Sequence, residues 1–245
     1  MEQNDKIKFF KSLVFPVILL ALLWLVKGAE LYFHVDFSDY GIQPHLIKGL
    51  RGVLFSPFIH GDLNHLWANS TPLFILTAGL AYYYPDSWFK ILAYAWIATG
   101  LWVWSFAEEN STHIGASGVV YALVAFHFTA GMLKREPRQM AFAFLVVFLY
   151  GSIIWGIFPE LFPDKNISWE SHLLGLIAGS TLAFFFRENG MQRHEHIWND
   201  DDVPEDEDAY WRIPKEKPAT GKPMQTISYT YIEENKTENP PAQPD

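Results

Sequence analysis

Long apolar runs without a charged residue recur along the first three quarters of the chain. Six are present: Ser12–Val26, His65–Tyr84, Ile91–Ala107, Ser117–Leu133, Met140–Phe158 and Ser171–Phe186. A helix needs about 20 apolar residues to cross the hydrocarbon core of a bilayer, with a range of about 17–25. A helix is also the economical structure in lipid, because it pairs its own backbone polar groups. The pattern predicts an all-α membrane protein with six transmembrane helices.

The first and last apolar runs are short, and each is followed by a basic residue. We expect the first helix to continue through Lys27 to about Tyr32, with the Lys27 ammonium reaching toward the lipid headgroups. The last helix is expected to extend past Arg187 in the same way. The first run lacks a small-x-small cleavage pattern, so it is interpreted as a helix of the protein rather than as a cleaved signal peptide.

The basic residues are concentrated in alternate connections between the predicted helices. They precede the first helix, separate the second from the third and the fourth from the fifth, and follow the sixth: Lys6, Lys8, Lys11, Lys90, Lys134, Arg135, Arg138, Arg187 and Arg193. By the positive-inside rule both termini are expected in the cytoplasm. The second, fourth and sixth helices then begin at the outer face. The expected location is a bacterial inner membrane.

The two long polar stretches differ in character. The first outer connection, residues 33–64, is half apolar, so we expect short amphipathic helices at the membrane interface, or an outer loop packed on the bundle. Residues 187–245 hold 14 acidic and 7 basic side chains, and thus most of the net charge of −9. This acidic, proline-rich composition predicts a disordered tail. The predicted domains are a cytoplasmic N-terminus (1–11), a six-helix domain (12–187) and a cytoplasmic tail (188–245).

The overall composition excludes several kinds of site. The chain has no cysteine, so disulfides and thiolate metal sites are excluded. No strongly basic region is present, and no nucleic-acid partner is expected. His194 and His196 lie two residues apart in the tail, but without further ligands they are expected to be solvated rather than bound to a metal. No cofactor is predicted.

Three polar clusters lie at the predicted outer ends of the second, fourth and sixth helices, where polar residues in a membrane are costly and therefore informative. In the first, His65 and Asn69 are four residues apart, share one helical face and can donate toward the same point. Hydrogen bonding between helices explains this pair equally well. Asp62, just before this cluster, and Glu170, just before the last one, are both interpreted as loop residues.

The second cluster surrounds Ser117, between Gly115 and Gly118. A helix N-terminus presents free backbone N–H groups that suit an oxyanion, and glycine lets another backbone approach closely. The alternative is a packing face of small residues with a capping serine. The pattern differs from the Gly-x-Ser-x-Gly of α/β-hydrolases, because Val119 occupies the last position.

The third cluster is His172 with Gly175 and Gly179 on the same helical face. The glycines allow a neighbouring helix to come close, although a lone packing histidine is the simpler interpretation of this helix by itself. The orientation derived from the charges places His65, Asn69, Ser117 and His172 at similar depth. A nucleophile, a base and hydrogen-bond donors would then converge, as acyl transfer requires.

The order of these residues resembles that of the rhomboid family of intramembrane serine proteases. The resemblance covers roughly residues 10–187, and its motifs are His60…His65…Asn69, Gly115-Ala-Ser117-Gly118-Val-Val-Tyr121 and His172-x-x-Gly175-x-x-x-Gly179. It implies a six-helix domain in the lipid bilayer that cleaves membrane proteins, which we expect to be single-span proteins. Arg51 matches the family's Trp-Arg pair, with Leu50 in place of the tryptophan.

The resemblance also implies a role for each site residue. Ser117 would be the nucleophile and His172 its base, with no acidic third member. His65, Asn69 and the backbone N–H of Ser117 would form the oxyanion hole, and Tyr121 would pack against the His172 ring. His60 would support the first cluster, while Gly115, Gly118, Gly175 and Gly179 would allow close packing.

Three other functions are consistent with part of the sequence. A catalytically inactive rhomboid relative that binds membrane proteins would be expected to lose the serine or the histidine, and both are present. A di-iron oxidase would need many metal ligands, and beyond the spacing of His60 and His65 no His-x-x-His-His box occurs. A transporter could use the intramembrane histidines, but no inverted repeat is visible.

Overall fold

Seven α-helices form most of the part of the chain that the structure describes. The computed structural model describes residues 3–149 and 168–191. The helices are α1 Gln3–Phe33, α2 Gly52–Phe55, α3 Leu63–Tyr83, α4 Trp88–Phe106, α5 Ser117–Leu133, α6 Pro137–Leu149 and α7 Trp169–Phe185. No strand forms within these two ranges, which confirms the all-α class for them. The second half of the fifth apolar run and nearly all of the predicted tail, with His194 and His196, lie outside the described residues.

Apolar surface is abundant on these helices. Within the described ranges, two stretches are long and apolar enough to cross a membrane by length and composition alone: Lys6–Phe33 and Trp88–Phe106. Ser117–Leu133 and Pro137–Phe148 are apolar but shorter. Large side chains such as Phe10, Leu25 and Tyr32 are exposed on α1. An exposed apolar surface of this extent suits contact with lipid.

Helix α5 lies at the centre of the described helices, in contact with α3, α4, α6 and α7. Every residue from Gly118 to His127 is buried. The closest contact is with α7, where a Cβ atom on Gly175 would lie 2.3 Å from the Gly118 carbonyl oxygen. On Gly179 it would lie 1.9 Å from the Ala122 carbonyl oxygen. The two backbones therefore touch directly, as small residues permit between membrane helices.

The connection between α1 and α3 contains short helical segments, as predicted. They are the 3-10 turns Ser38–Tyr40, Ile47–Arg51 and Ser56–Phe58, together with α2. The Trp96 indole on α4 donates to the Val53 carbonyl at 2.9 Å. Arg51 donates to the Asp39 carbonyl at 2.9 Å, and its guanidinium lies 4.3 Å from the centre of the Tyr40 ring. The connection is therefore held against α4 and onto itself without the family's tryptophan at position 50.

Three predictions about charged residues are wrong. The last helix does not extend past Arg187, because α7 ends at Phe185. Lys27 does not reach toward the headgroups: it is buried, and its ammonium donates to Glu30 and to the His60 and Gly61 carbonyls. Those acceptors satisfy the charge inside the protein. Glu170 is not a loop residue but lies in the first turn of α7, where its carboxylate accepts a hydrogen bond from the Glu108 N–H at 3.4 Å. A carboxylate is favourable at a helix N-terminus because of the helix dipole.

Candidate active site

Ser117 is the first residue of α5 and is only partly buried, so its hydroxyl can be reached. The segment before it is held by backbone hydrogen bonds. His113 and Ile42 exchange two N–H to carbonyl bonds of 2.9 Å, and the Gly115 N–H donates to the Ser56 carbonyl at 2.9 Å. Because the first N–H groups of a helix have no partner inside the helix, this position offers donors beside the serine.

The Ser117 hydroxyl is hydrogen-bonded to the ring of His172. Its Oγ lies 2.9 Å from His172 Nε2. The ring of Tyr121, one turn further along α5, stacks on the imidazole with 4.1 Å between ring centres and an interplanar angle of 12°. His172 itself is buried in the first turns of α7. An imidazole at this distance can take the hydroxyl proton as a general base.

His65 and Asn69 approach the segment before Ser117 from α3. A Cβ atom on Gly115 would lie 2.8 Å from His65 Nε2 and 3.6 Å from Asn69 Nδ2. Gly115 has a φ of +100°, which other L-residues rarely adopt. The buried Asn69 amide also donates to the His65 carbonyl at 3.2 Å. Two side chains with N–H groups therefore surround the turn that leads into the serine.

His60 is buried behind this group. Its Nε2 accepts a long hydrogen bond of 3.5 Å from the Ala116 N–H, and its ring centre lies 5.0 Å from that of His65. Burial, followed by the neighbouring His65, lowers the pKa of His60 to about 3, so the ring is neutral at physiological pH. A neutral ring is consistent with its role as an acceptor from the Ala116 N–H.

Asp62 precedes α3 and caps it. Its carboxylate accepts a hydrogen bond of 2.8 Å from the His65 N–H. Hydrogen bonding to the charged form lowers the pKa of Asp62. The carboxylate therefore fixes the helix start that carries His65 and Asn69.

A hydrogen-bonded group centred on His113 was not predicted from the sequence, and neither was the buried pair of Lys27 and Glu30. The His113 Nδ1 atom is hydrogen-bonded to the Ser168 hydroxyl, and it lies 3.4 Å from the Ser171 hydroxyl. The Ser111 hydroxyl contacts its Nε2 at 2.8 Å. Burial lowers the pKa of His113, and Glu170 opposes this shift. The group links the α4–α5 connection to the start of α7, next to His172. The available signal in the sequence was a histidine two residues after Ser111 in a short connection.

A small cavity lies beside Gly118, lined by both apolar and polar side chains. Its volume is about 20 Å³, and Ser56, Thr99, His113 and Ser171 are among the residues that line it. The buried Thr99 hydroxyl oxygen has no hydrogen-bond partner among the described residues. A polar cavity needs roughly 10–15 Å³ of such volume to hold one water molecule. Within the described ranges, no group of three or more His, Asp or Glu side chains could hold a metal ion.

Comparison with known proteins gives the family to which this helical fold belongs. The family model described as Rhomboid domain matches residues 48–189. An uncharacterized protein of Mycobacterium tuberculosis is 34% identical over 174 residues, which is 67% of this chain and 70% of that protein. An uncharacterized protein of Mycobacterium leprae is 28% identical over 188 residues, 75% of this chain and 74% of that one.

A human relative has a rhomboid name. Rhomboid-related protein 3 of Homo sapiens is 26% identical over 153 residues, which is 58% of this chain and 38% of that protein. The family match covers more than half of the chain. The chain belongs to the rhomboid family and is an integral membrane protein with apolar helices.

Proposed function

We propose that this protein is an intramembrane serine endopeptidase that cleaves the transmembrane segments of other membrane proteins. The observation that carries the proposal is the 2.9 Å separation between Ser117 Oγ and His172 Nε2. A serine hydroxyl is a weak nucleophile until a base within hydrogen-bond reach takes its proton. Ser117 and His172 meet this requirement as a pair.

The reaction follows from the positions of these groups. Ser117 Oγ attacks the carbonyl carbon of the scissile bond while its proton passes to His172 Nε2. The tetrahedral intermediate collapses as His172 gives this proton to the leaving amine, which leaves an ester on Ser117. Water then attacks the ester, His172 takes a proton from the water, and the acid is released as the proton returns to Ser117.

The developing oxyanion needs donors that are already in place. We assign this role to His65, Asn69 and the backbone N–H of Ser117, because the two side chains surround the Gly115 turn. Removal of one such donor in a serine protease costs about 100- to 1000-fold in kcat. Tyr121 stacks on His172 and would hold the ring in the plane that faces Ser117. His60 would support His65 from behind.

The proposed setting is a bacterial inner membrane crossed by six helices, with both termini in the cytoplasm. The basic residues of the alternate connections support this orientation. The site at the starts of α3, α5 and α7 would then open toward the outer face. Its proposed substrates are single-span proteins with small residues at the cleaved bond and a Gly or Pro just inside the membrane. Such residues let a helix unwind and expose its peptide bonds.

The test is cleavage of a panel of single-span membrane proteins by purified protein in lipid vesicles. We expect cleavage by the wild type, and none by Ser117→Ala or His172→Ala. A fluorophosphonate should label the wild type at Ser117. Ser105→Ala is the matched control, because among the described residues the Ser105 hydroxyl bonds only to the Leu101 carbonyl on its own helix. Its labelling should equal that of the wild type.

Two results would change the proposal. Full labelling of Ser117→Ala would show that another residue is the nucleophile. Binding of membrane proteins without cleavage or labelling by the wild type would favour the alternative, a catalytically inactive rhomboid-like binder. The relatives from the two mycobacteria are named uncharacterized, so their names do not distinguish these outcomes.

A further inference from the structure

Helix α1 carries a buried ion pair that precedes the region matched by the family model. The family match begins at residue 48, after α1 has ended. Within α1, Lys27 and Glu30 lie one turn apart, and their charged atoms are 3.0 Å from each other. Both residues are less than 10% exposed. A charged side chain is costly inside a membrane protein. Where such side chains occur, they are usually paired with a partner and often belong to a functional site.

All three N–H groups of the Lys27 ammonium have acceptors. One is the Glu30 carboxylate, and the other two are the carbonyl oxygens of His60 at 2.8 Å and Gly61 at 3.0 Å. The second oxygen of Glu30 accepts a hydrogen bond of 3.1 Å from the Phe37 N–H. The ion pair therefore joins α1 to both ends of the α1–α3 connection. An ammonium with three acceptors has no unsatisfied donor.

The turn held by Lys27 is directly connected to the proposed catalytic groups. His60 is 1% exposed, and its ring lies beside that of His65. The same ring accepts a hydrogen bond from the N–H of Ala116, the residue before Ser117. A shift of the His60 backbone would therefore be transmitted to His65 on one side and to the start of α5 on the other.

We infer that Lys27, oriented by Glu30, is a positioning residue that holds the His60–Gly61 turn so that His65 faces the oxyanion position beside Ser117. The inference rests on the proposed function. Lys27 contacts no reacting atom, and it acts through two backbone carbonyls. Its effect should therefore appear in the catalytic step rather than in substrate binding, because His65 is needed most when charge develops on the oxygen.

The alternative is that the ion pair only stabilises the fold. The experiment compares Lys27→Met, which keeps a linear side chain one atom shorter but removes the three donors, with Gln139→Leu. Gln139 is also buried and fully inside the protein, and it donates to the Tyr84 hydroxyl beside His127. His127 lies ten residues after Ser117 on α5, which is about 15 Å along the helix axis. Gln139→Leu thus removes a buried hydrogen bond far from the site.

The measurements are Tm, KM and kcat for one single-span substrate in lipid vesicles. We expect Lys27→Met to lower kcat by roughly tenfold to a hundredfold with little change in KM, since small misplacements of catalytic groups have effects of this size. Gln139→Leu should lower Tm but leave kcat near the wild-type value. Lys27→Arg, which keeps the charge and the donors, should recover most of the lost kcat. If Lys27→Met does not fold, Tm, KM and kcat of Glu30→Gln are compared with those of Gln139→Leu instead.

The inference would be overturned if Lys27→Met or Glu30→Gln lost no more kcat than Gln139→Leu. The ion pair would then serve only to stabilise the fold. Failure of the proposed function looks different. In that case the wild type itself shows no cleavage that depends on Ser117, and the positioning role falls together with the proposal on which it rests.

Discussion

The ring of Tyr121 lies nearly parallel to the ring of His172, with 4.1 Å between the ring centres. Tyr121 comes from α5, one turn after Ser117, and His172 comes from α7. The stack therefore joins the two helices that carry the proposed nucleophile and base. It restricts rotation of the imidazole about the bond that would turn Nε2 away from Ser117.

The first prediction concerns this stack. Tyr121→Phe keeps an aromatic ring over His172 and should retain most of the kcat, whereas Tyr121→Ala should lower kcat by about tenfold or more because the base loses its orientation. The measurement is kcat for one substrate with both variants at equal folded fraction. If the alanine variant were as active as the phenylalanine variant, the ring would not be what orients His172.

A second prediction concerns Gly115. An alanine at this position would have to adopt a φ of +100°, and its Cβ would lie 2.8 Å from His65 Nε2. His65 would be displaced from the segment that leads to Ser117. We expect Gly115→Ala to lower kcat by about 100-fold, the effect of losing one oxyanion donor. Fluorophosphonate labelling and kcat should fall together. Labelling at the wild-type rate would show that the position of His65 beside Gly115 is not required for the reaction of Ser117.

The third prediction concerns the contact between α5 and α7. Gly179→Ala would place a Cβ atom 1.9 Å from the Ala122 carbonyl oxygen, and backbone cannot move aside as a flexible side chain would. Overpacking of this kind costs about 1–3 kcal/mol of stability, so Tm should fall. Gly28→Ala on α1 is the matched control, because nothing lies within 4 Å of its Cβ position. That variant should keep or raise Tm, since alanine favours a helix by about 1 kcal/mol over glycine.

A comparable loss of Tm in Gly28→Ala and Gly179→Ala would mean that the substitution acts through the glycine's backbone freedom rather than through the α5–α7 contact. The measurement is thermal unfolding of both variants in the same detergent.

The fourth prediction is a pH dependence of stability that arises from His60. Burial lowers the pKa of this ring to about 3, whereas in the unfolded chain it titrates near its ordinary value of about 6.5. Below that value the unfolded state binds the proton and the folded state does not. The stabilisation from His60 is therefore complete above about pH 6.5 and is lost as the pH falls toward 3.

Tm measured between pH 7.5 and pH 4 should thus decline, and His60→Gln should reduce the slope of the decline because the amide does not titrate. His113 contributes in the same direction, since burial lowers its pKa as well. An unchanged slope in His60→Gln would assign the pH dependence to other groups.

Much of the helical architecture could be predicted because membrane helices carry their signal locally. Each apolar run lies in a helix over its described part, except that three of them end one residue beyond their helix, at Tyr84, Ala107 and Phe186. Helix α5 has the bounds predicted from its apolar run, Ser117–Leu133. The glycine spacing that pointed to close packing of α7 also needs only one helix. Helix ends were less accurate, since α7 begins at Trp169 rather than Ser171. First turns of helices are often polar, so an apolar run does not include them.

The features that could not be predicted depend on contacts between distant residues. Lys27 and His60 are 33 positions apart in the sequence, so the contact of the ammonium with two carbonyls could not be seen there, and its charge suggested the headgroups instead. The link between His113 and Ser168 spans 55 residues. Neither partner is unusual by itself, and only the folded backbone shows that the polar groups satisfy one another.

The direct backbone contact of Gly175 and Gly179 with α5 affects how the protein responds to bilayers of different thickness. A change in membrane thickness is met by tilting of helices, at a small free-energy cost for each ångström of mismatch. Helices that are separated by side chains can tilt independently, but at Gly175 and Gly179 no layer of side chains separates α5 from α7. They must tilt together, and Ser117 and His172 travel with them. The distance between the two reacting atoms therefore does not depend on lipid composition. The approach of a substrate through the lipid does depend on it.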